Sequence, residues 1–235
     1  MANLSLTKKK SIAEEAYVEL EKLYVKQEMT LNYSNAWELL VGGILGAQTT
    51  DEQVNRVTAV LFKKYPNIED FANSSFENMM QEINSIGLYR NKAKALIGSA
   101  QKILKDFDGK IPTERKALMS LPGVGPKVAS LVRGDYYGIP AIVVDTHCGR
   151  ISQLLGLSNS QNPTIIEKDL MKILPEETWI NWGHYLVLHG RKYCKARCRN
   201  CLACPLNDCC HYANKKSIQK KITEAKEQQL EDGCF

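Results

Sequence analysis

Residues 121–147 read LPGVGPKVASLVRGDYYGIPAIVVDTH and combine a glycine turn, a lysine and an aspartate. Gly123 and Gly125 can adopt backbone angles that are closed to residues with a Cβ atom, so the PGVG sequence predicts a sharp turn with exposed amides. Pro126 suits the first turn of a following helix, because its missing N–H would have no partner there. The amides of Gly123, Val124 and Gly125 are therefore candidates for binding a nucleic-acid phosphate. A plain helix end followed by a new helix is the competing interpretation.

Two residues of this stretch are candidates for a catalytic role. Lys127 is expected just inside a helix N-terminus, where the helix dipole and partial desolvation would lower its basicity and make the amine a nucleophile. Asp145 ends the apolar run 141–144, and its position before Thr146 predicts a helix N-cap. A carboxylate in that position can also face a developing cation in a cleft. The alternatives are a solvated surface lysine and a carboxylate that only caps a helix.

Hydrophobic periodicity predicts helices along the whole chain and no convincing strand, so we expect an all-α fold. Asn35 and Thr50 are expected to begin two of these helices, and Thr164 with Glu167 forms a capping-box pattern before a third. The tail after Ala213 is polar and charged, which favours a solvated segment, either a frayed helix or disordered chain. The other expected helices cover 11–25, 75–83, 91–106, 113–120, 146–155 and 178–191.

Composition narrows the class of protein without deciding the function. A chain of 235 residues with 44% hydrophobic content can bury a substantial core. The formal charge of +5 is compatible with a polyanionic partner, although many proteins that never bind nucleic acid share it. No run of about 18 apolar residues occurs, and the first residues lack the apolar stretch of a signal peptide. We therefore expect a cytoplasmic protein without a membrane partner.

Six of the eight cysteines lie between residues 194 and 210, which favours a metal site over disulfides in a cytosolic chain. Cys194, Cys201, Cys204 and Cys210 are separated by six, two and five residues. Four thiolates can hold either zinc or an iron–sulfur cluster. Structural zinc sites usually draw cysteine pairs from separate segments, so the single compact loop is a weak argument for the larger cluster. The loop is also rich in basic residues, among them Lys192, which suits contact with phosphates.

The hairpin LPGVGPK, followed by VVDTH with Asp145 placed 18 residues after Lys127, resembles the helix-hairpin-helix DNA glycosylase superfamily. Within that superfamily the sequence is most similar to the endonuclease III branch. The resemblance extends from about Tyr33 to Cys210, so it covers most of the chain. Three further motifs carry it, namely LGAQTTD at 45–51, IGLYRNKA at 86–93 and LHGRKYC at 188–194.

The resemblance implies two helical domains with a DNA-binding cleft between them. One domain would comprise 29–139 with the helix-hairpin-helix motif, and the other would join 1–28 to 140–211, leaving 212–235 as a polar tail. The cysteine spacing matches the [4Fe–4S] loop of this branch, which assigns the four cysteines named above as cluster ligands. The resemblance also gives Gln48 the role of filling the space left by a flipped base and Leu88 that of a wedge between bases.

The activity implied is base-excision repair by a bifunctional DNA glycosylase. It would remove oxidised pyrimidines and cleave abasic sites by β-elimination through a Schiff base on Lys127, with Asp145 assisting. The expected partner is double-stranded DNA carrying damaged bases or abasic sites, met by a nucleoid-associated monomer. A monofunctional glycosylase, a glycosylase for mismatches or oxidised purines, and a non-catalytic DNA-binding module are the alternatives. Pro126 and the pair Cys148-Gly149 depart from residues frequent among relatives, which leaves the base specificity open.

Overall fold

The computed structural model describes residues 4–25 and 30–228, and over these ranges helices alternate with turns and no strand occurs. The all-α expectation is therefore confirmed. No helix in these ranges combines the length and apolar character needed to cross a bilayer. A π-helical turn lies at Val132–Tyr136 and a 3₁₀ turn at Glu176–Thr178. The α-helices are α1 (Leu6–Tyr24), α2 (Ala36–Leu45), α3 (Asp51–Lys64), α4 (Ile68–Ala72), α5 (Phe76–Glu82), α6 (Tyr89–Asp106), α7 (Arg115–Met119), α8 (Pro126–Leu131), α9 (Thr146–Leu154), α10 (Pro163–Met171), α11 (Trp179–Lys192) and α12 (Lys216–Glu227).

Local capping explains where several of these helices begin. The Asn35 side chain accepts the Glu38 N–H at 2.9 Å, and Thr50 caps α3 in the same way, as the sequence predicted. The predicted starts of two helices are wrong. Helix α1 begins earlier than expected because Ser5 caps it, and α10 is capped by the Asn162 side chain. The nearby Thr164 contributes only a backbone N–H to that cap.

The chain divides into two compact units. We call Glu28–Ala141 the hairpin unit, and Met1–Gln27 with Ile142–Phe235 the split unit. In the hairpin unit, α4 and α5 pack against α6, while α2 packs against α3, α6 and α8. A Cβ atom added at Gly43 would lie 2.9 Å from Val128 Cγ1, so this glycine allows α8 to approach α2 closely. That contact positions the start of α8.

The split unit is built around α9 and α11. Helix α11 packs against α1 and α9, and α10 packs against α9. Trp182 and Leu186 on α11 are fully buried and meet Leu20 of α1 in one apolar cluster. Burial of large apolar side chains of this kind is the main stabilising contribution in such a helical unit.

The segment after Ala213, for which the sequence favoured a solvated tail, contains helix α12. Ile218, Ile222 and Ala225 lie on one face of it and are buried. The two isoleucines pack in a cluster with Cys201, and the Gln219 amide donates to the Ala213 carbonyl at 2.9 Å. The charged residues that suggested a solvated tail occupy the remaining faces of this helix.

Candidate nucleic-acid interface and catalytic residues

The predicted hairpin is present as α7, a glycine turn and α8. Gly123 has φ +77°, in the left-handed region that favours glycine. The Ser99 hydroxyl donates to the Pro122 carbonyl at 2.7 Å and so holds the turn against α6. Val124 is buried, and its N–H donates to the Leu121 carbonyl at 3.1 Å within the turn. Val124 therefore anchors the turn.

Gly125, the last residue of the turn, differs from Val124 because open space surrounds the position that its side chain would occupy. A Cβ atom added there would meet no atom within 4 Å. Pro126 follows as the first residue of α8, as its fixed φ predicts, and Lys127 is the second. Lys127 is exposed to solvent, so the partial desolvation that the sequence predicted is not found. The structure thus presents an accessible amine directly after the exposed hairpin turn.

Asp145, in the split unit, is the N-cap of α9 as predicted. Its Oδ1 accepts the Cys148 N–H at 2.7 Å, and the residue is partly exposed. Cys148 is fully buried, and a Cβ atom added at Gly149 would lie 3.5 Å from Ile166. The Cys148-Gly149 pair therefore faces the core of the unit, so a substitution at either residue would affect packing.

Gln48 and Leu88 lie on two adjacent loops of the hairpin unit. Both side chains are exposed, and both residues have left-handed backbones, with φ of +55° and +59°. A Cβ atom added at Gly87 would be 3.7 Å from the Gln48 carbonyl oxygen, and the Gln53 side chain donates to Ser85 Oγ at 2.9 Å. Left-handed residues with a side chain cost about 1–2 kcal/mol and are concentrated at functional sites. The structure therefore brings together the two residues predicted to enter DNA.

Lys92, which the sequence reasoning missed, is the buried cation beside these loops. Only 5% of the residue is exposed, and burial lowers the pKa of its ammonium group. Nζ donates to the carbonyls of Leu45 at 2.8 Å and Ala47 at 2.6 Å and to Thr49 Oγ1 at 3.1 Å. A signal was present in the sequence, because Lys92 shares a helical face with apolar Leu96 at the i+4 position.

The four predicted cluster ligands line one cavity in the split unit. Its wall consists of Cys194, Cys201, Cys204 and Cys210 together with apolar side chains, among them Leu206. Burial raises the pKa of Cys201 to about 11 and that of Cys204 to about 12. Without a bound cation these thiols are therefore protonated at neutral pH, and metal binding would release their protons.

Three other residues contact this cavity or lie beside it. His189 Nε2 lies 3.5 Å from Cys204 Sγ, and the Arg199 guanidinium stacks over the Tyr212 ring at 5.2 Å. Lys192, predicted to contact phosphate, is exposed at the end of α11, with Nζ 5.1 Å from the centroid of the Tyr193 ring. Positive charge is thus available both at the cavity and on the surface near it.

Comparison with known proteins decides the family. Residues 41–176 match the HhH-GPD superfamily, described as base excision DNA repair proteins. The chain is 41% identical to endonuclease III of Synechocystis sp. over 87% of its own length and 94% of the relative's. The chain belongs to the endonuclease III family. Endonuclease III of Bacillus subtilis is 42% identical over 83% of this chain and 89% of the relative.

The fold of the endonuclease III family is also matched by solved structures. One is a trapped covalent intermediate of endonuclease III with DNA, described as an estranged-adenine complex. It aligns with a TM-score of 0.84 and 38% identity, covering 88% of this chain and 98% of that one. This endonuclease III family member is accordingly a base-excision repair enzyme with DNA glycosylase and abasic-site lyase activity.

Proposed function

We propose that this enzyme removes oxidised pyrimidines from duplex DNA, with Lys127 as the nucleophile and Asp145 as its carboxylate partner. The observation that carries the proposal is the exposed amine of Lys127, presented at the second position of α8 after the hairpin turn. A relative that is 38% identical was trapped as a covalent intermediate with DNA, which supports a nucleophile in this chain. The class of damaged base rests on membership of the endonuclease III family.

The reaction would proceed by covalent catalysis. The neutral Lys127 amine attacks C1′ of the deoxyribose, the glycosidic bond breaks, and the departing base takes the electron pair. Positive charge develops on the sugar as the base leaves, and the Asp145 carboxylate would stabilise it. The amine of the Lys127–C1′ adduct gives a proton to the departing base, and the C1′–O4′ bond then breaks to open the sugar ring, with O4′ taking a proton from solvent. The Schiff base that results acidifies the C2′ proton. Loss of that proton expels the 3′ phosphate by β-elimination and cleaves the strand.

DNA would bind to the open side of the hairpin and to the two loops that carry Gln48 and Leu88. The amides around Gly123 and Gly125 and the ammonium group of Lys192 would contact backbone phosphates without reading sequence. The damaged nucleotide must leave the stack before it can react, at a cost of a few kcal/mol. Gln48 would fill the vacated space while Leu88 separates the neighbouring bases.

We further propose that the cavity of the split unit holds a [4Fe–4S] cluster through Cys194, Cys201, Cys204 and Cys210. All four side chains line the same cavity, which suits a cluster with one thiolate on each iron. The cysteine spacing, which matches the cluster loop of the endonuclease III branch, favours this group over a single zinc ion. When bound, the cluster would cross-link the loop.

Borohydride trapping tests the proposed nucleophile and substrate. The purified holoenzyme is reacted at fixed salt with a duplex containing thymine glycol and, separately, with one containing an abasic site. We expect capture on both with the wild type and with Lys116→Ala, which removes an exposed lysine from α7 of the same hairpin. Lys127→Ala should lose capture and strand cleavage while retaining duplex binding.

Each contrary result has a specific meaning. Capture on the abasic duplex alone would exclude thymine glycol as a substrate and leave the lyase assignment standing. Equal capture by Lys127→Ala would overturn the nucleophile. Base release from thymine glycol by the wild type without any capture would instead indicate a monofunctional glycosylase.

A further inference from the structure

The two loops that carry Gln48 and Leu88 present a positioning problem. Each residue has a left-handed backbone although it bears a Cβ atom, and each side chain projects into solvent. Such a conformation persists only where surrounding contacts enforce it. Two loops that must enter DNA together therefore need a common support from within the protein.

Lys92 joins the two loops through the helix that carries it. Its backbone N–H makes the ordinary helical bond to the Leu88 carbonyl at 3.1 Å, so Leu88 and Lys92 belong to the same first turn of α6. Its ammonium group donates to Ala47 and Thr49, the two residues that flank Gln48. The third donor bond, to the Leu45 carbonyl, reaches the end of α2. One side chain thus spans the whole loop that bears Gln48.

The chemistry of this contact is unusual for a lysine that only supports the fold. All three acceptors are uncharged oxygens, so no carboxylate compensates the loss of hydration. A buried charge is expensive, and a well-packed apolar side chain of similar volume often serves stability equally well or better. An apolar side chain cannot make directional bonds. The ammonium group has three N–H donors, and together they fix the positions of three oxygens of one loop relative to each other.

We propose that Lys92 is a positioning residue that holds Gln48 and Leu88 together in the arrangement that fills the gap in the DNA. It acts through these two residues and does not contact the damaged nucleotide. The inference rests on the proposed roles of Gln48 and Leu88. It predicts that loss of the ammonium group impairs the steps that need base flipping and spares the chemistry on DNA that has no base to flip.

The test compares Lys92→Met with Lys94→Met. Both variants remove one positive charge from α6, but Lys94 is exposed and lies over the Phe76 ring, 5.4 Å from its centroid. Single-turnover base release is measured on a thymine glycol duplex, and strand cleavage is measured on a single-stranded oligonucleotide with an abasic site. A 2-aminopurine placed opposite the lesion reports gap filling through its fluorescence.

For Lys92→Met we expect base release to fall about tenfold or more, the effect of losing about 1.4 kcal/mol of positioning. The 2-aminopurine signal should fall with it. Single-strand cleavage should stay within about twofold of the wild type, and Lys94→Met should match the wild type in all three readouts. Equal losses on duplex and single strand would show that Lys92 only supports the fold. An unchanged duplex rate would exclude any role in positioning.

A double-mutant cycle separates positioning from general destabilisation. In a background that carries both Gln48→Ala and Leu88→Ala, Lys92→Met should change the duplex rate by less than about twofold, because both side chains that it positions are already absent. Additive effects of Lys92→Met and the two alanine substitutions would overturn the proposal. Failure of the wild type to be captured on the abasic duplex would instead count against the lyase mechanism proposed for Lys127, so the two failures are distinguishable.

Discussion

The same substitution at the two glycines of the hairpin should have opposite consequences. Gly123 has φ +77°, and a Cβ atom added there would lie 2.7 Å from Ala95 Cβ and 3.4 Å from Ile44 Cγ2. Gly125 has an extended backbone, with φ −96° and ψ −179°, and no atom within 4 Å of an added Cβ. Gly123→Ala therefore perturbs the packed side of the turn, and Gly125→Ala perturbs its open side.

The expected magnitudes follow from these distances. A left-handed alanine costs about 1–2 kcal/mol, and overpacking against α2 and α6 costs about 1–3 kcal/mol. Gly123→Ala should therefore lower the free energy of unfolding by about 2–5 kcal/mol. Gly125→Ala restricts the unfolded chain without strain and should raise stability by about 0.4–1 kcal/mol. Its methyl group would stand where a phosphate approaches, so duplex binding should weaken.

Urea unfolding followed by circular dichroism measures the first effect. With a slope of about 2–3 kcal/mol per molar urea, the midpoint of Gly123→Ala should fall by about 0.7–2.5 M. The midpoint of Gly125→Ala should not fall, while its duplex affinity, measured by fluorescence anisotropy at fixed salt, should drop about fivefold or more. Equal midpoints for Gly123→Ala and the wild type would refute the strained, packed turn. Unchanged affinity in Gly125→Ala would remove Gly125 from the interface.

Three further predictions concern the split unit. Asp145→Asn keeps an oxygen that can cap α9, so its urea midpoint should equal that of the wild type. Its rate of base release should fall about a hundredfold, and full activity would exclude the carboxylate from the reaction. Ile222→Ala should cost about 2 kcal/mol or more and speed hydrogen exchange throughout α12, and unchanged exchange would show that this helix is not docked. Burial raises the pKa of Tyr185 from 10.0 to about 12, because the folded protein favours the neutral hydroxyl. The contribution of this hydroxyl to the free energy of unfolding is therefore complete below pH 10 and is lost as the pH rises through 12. Tyr185→Phe should lose less stability over that range, whereas Tyr136→Phe, at a residue 43% exposed, should follow the wild type; identical alkaline unfolding of Tyr185→Phe would contradict this account.

The sequence determined those features whose interactions lie within a few residues. The caps at Asn35, Thr50 and Asp145 could be predicted, because the side chain of a cap bonds an amide two or three positions ahead. The hairpin turn was predictable because glycine allows backbone angles that other residues avoid, whereas proline fixes φ at a value that suits the start of a helix. Helical periodicity then marked the apolar faces, and the combined motifs identified the family. Errors arose where two capping residues compete, as at Asn162 and Thr164.

Only the tertiary structure decided what lies beyond that range. The acceptors of the Lys92 ammonium group are 43, 45 and 47 residues earlier in the chain, so no local pattern names them. The burial of Ile218 and Ile222 likewise depends on the cysteine loop against which α12 packs, which the polar composition of the tail concealed. The charge and composition of a segment describe that segment alone and do not show what packs against it. Whether a lysine or a tail is buried depends on which distant groups the folded chain brings to it, because desolvation must be offset by partners at the same place in space.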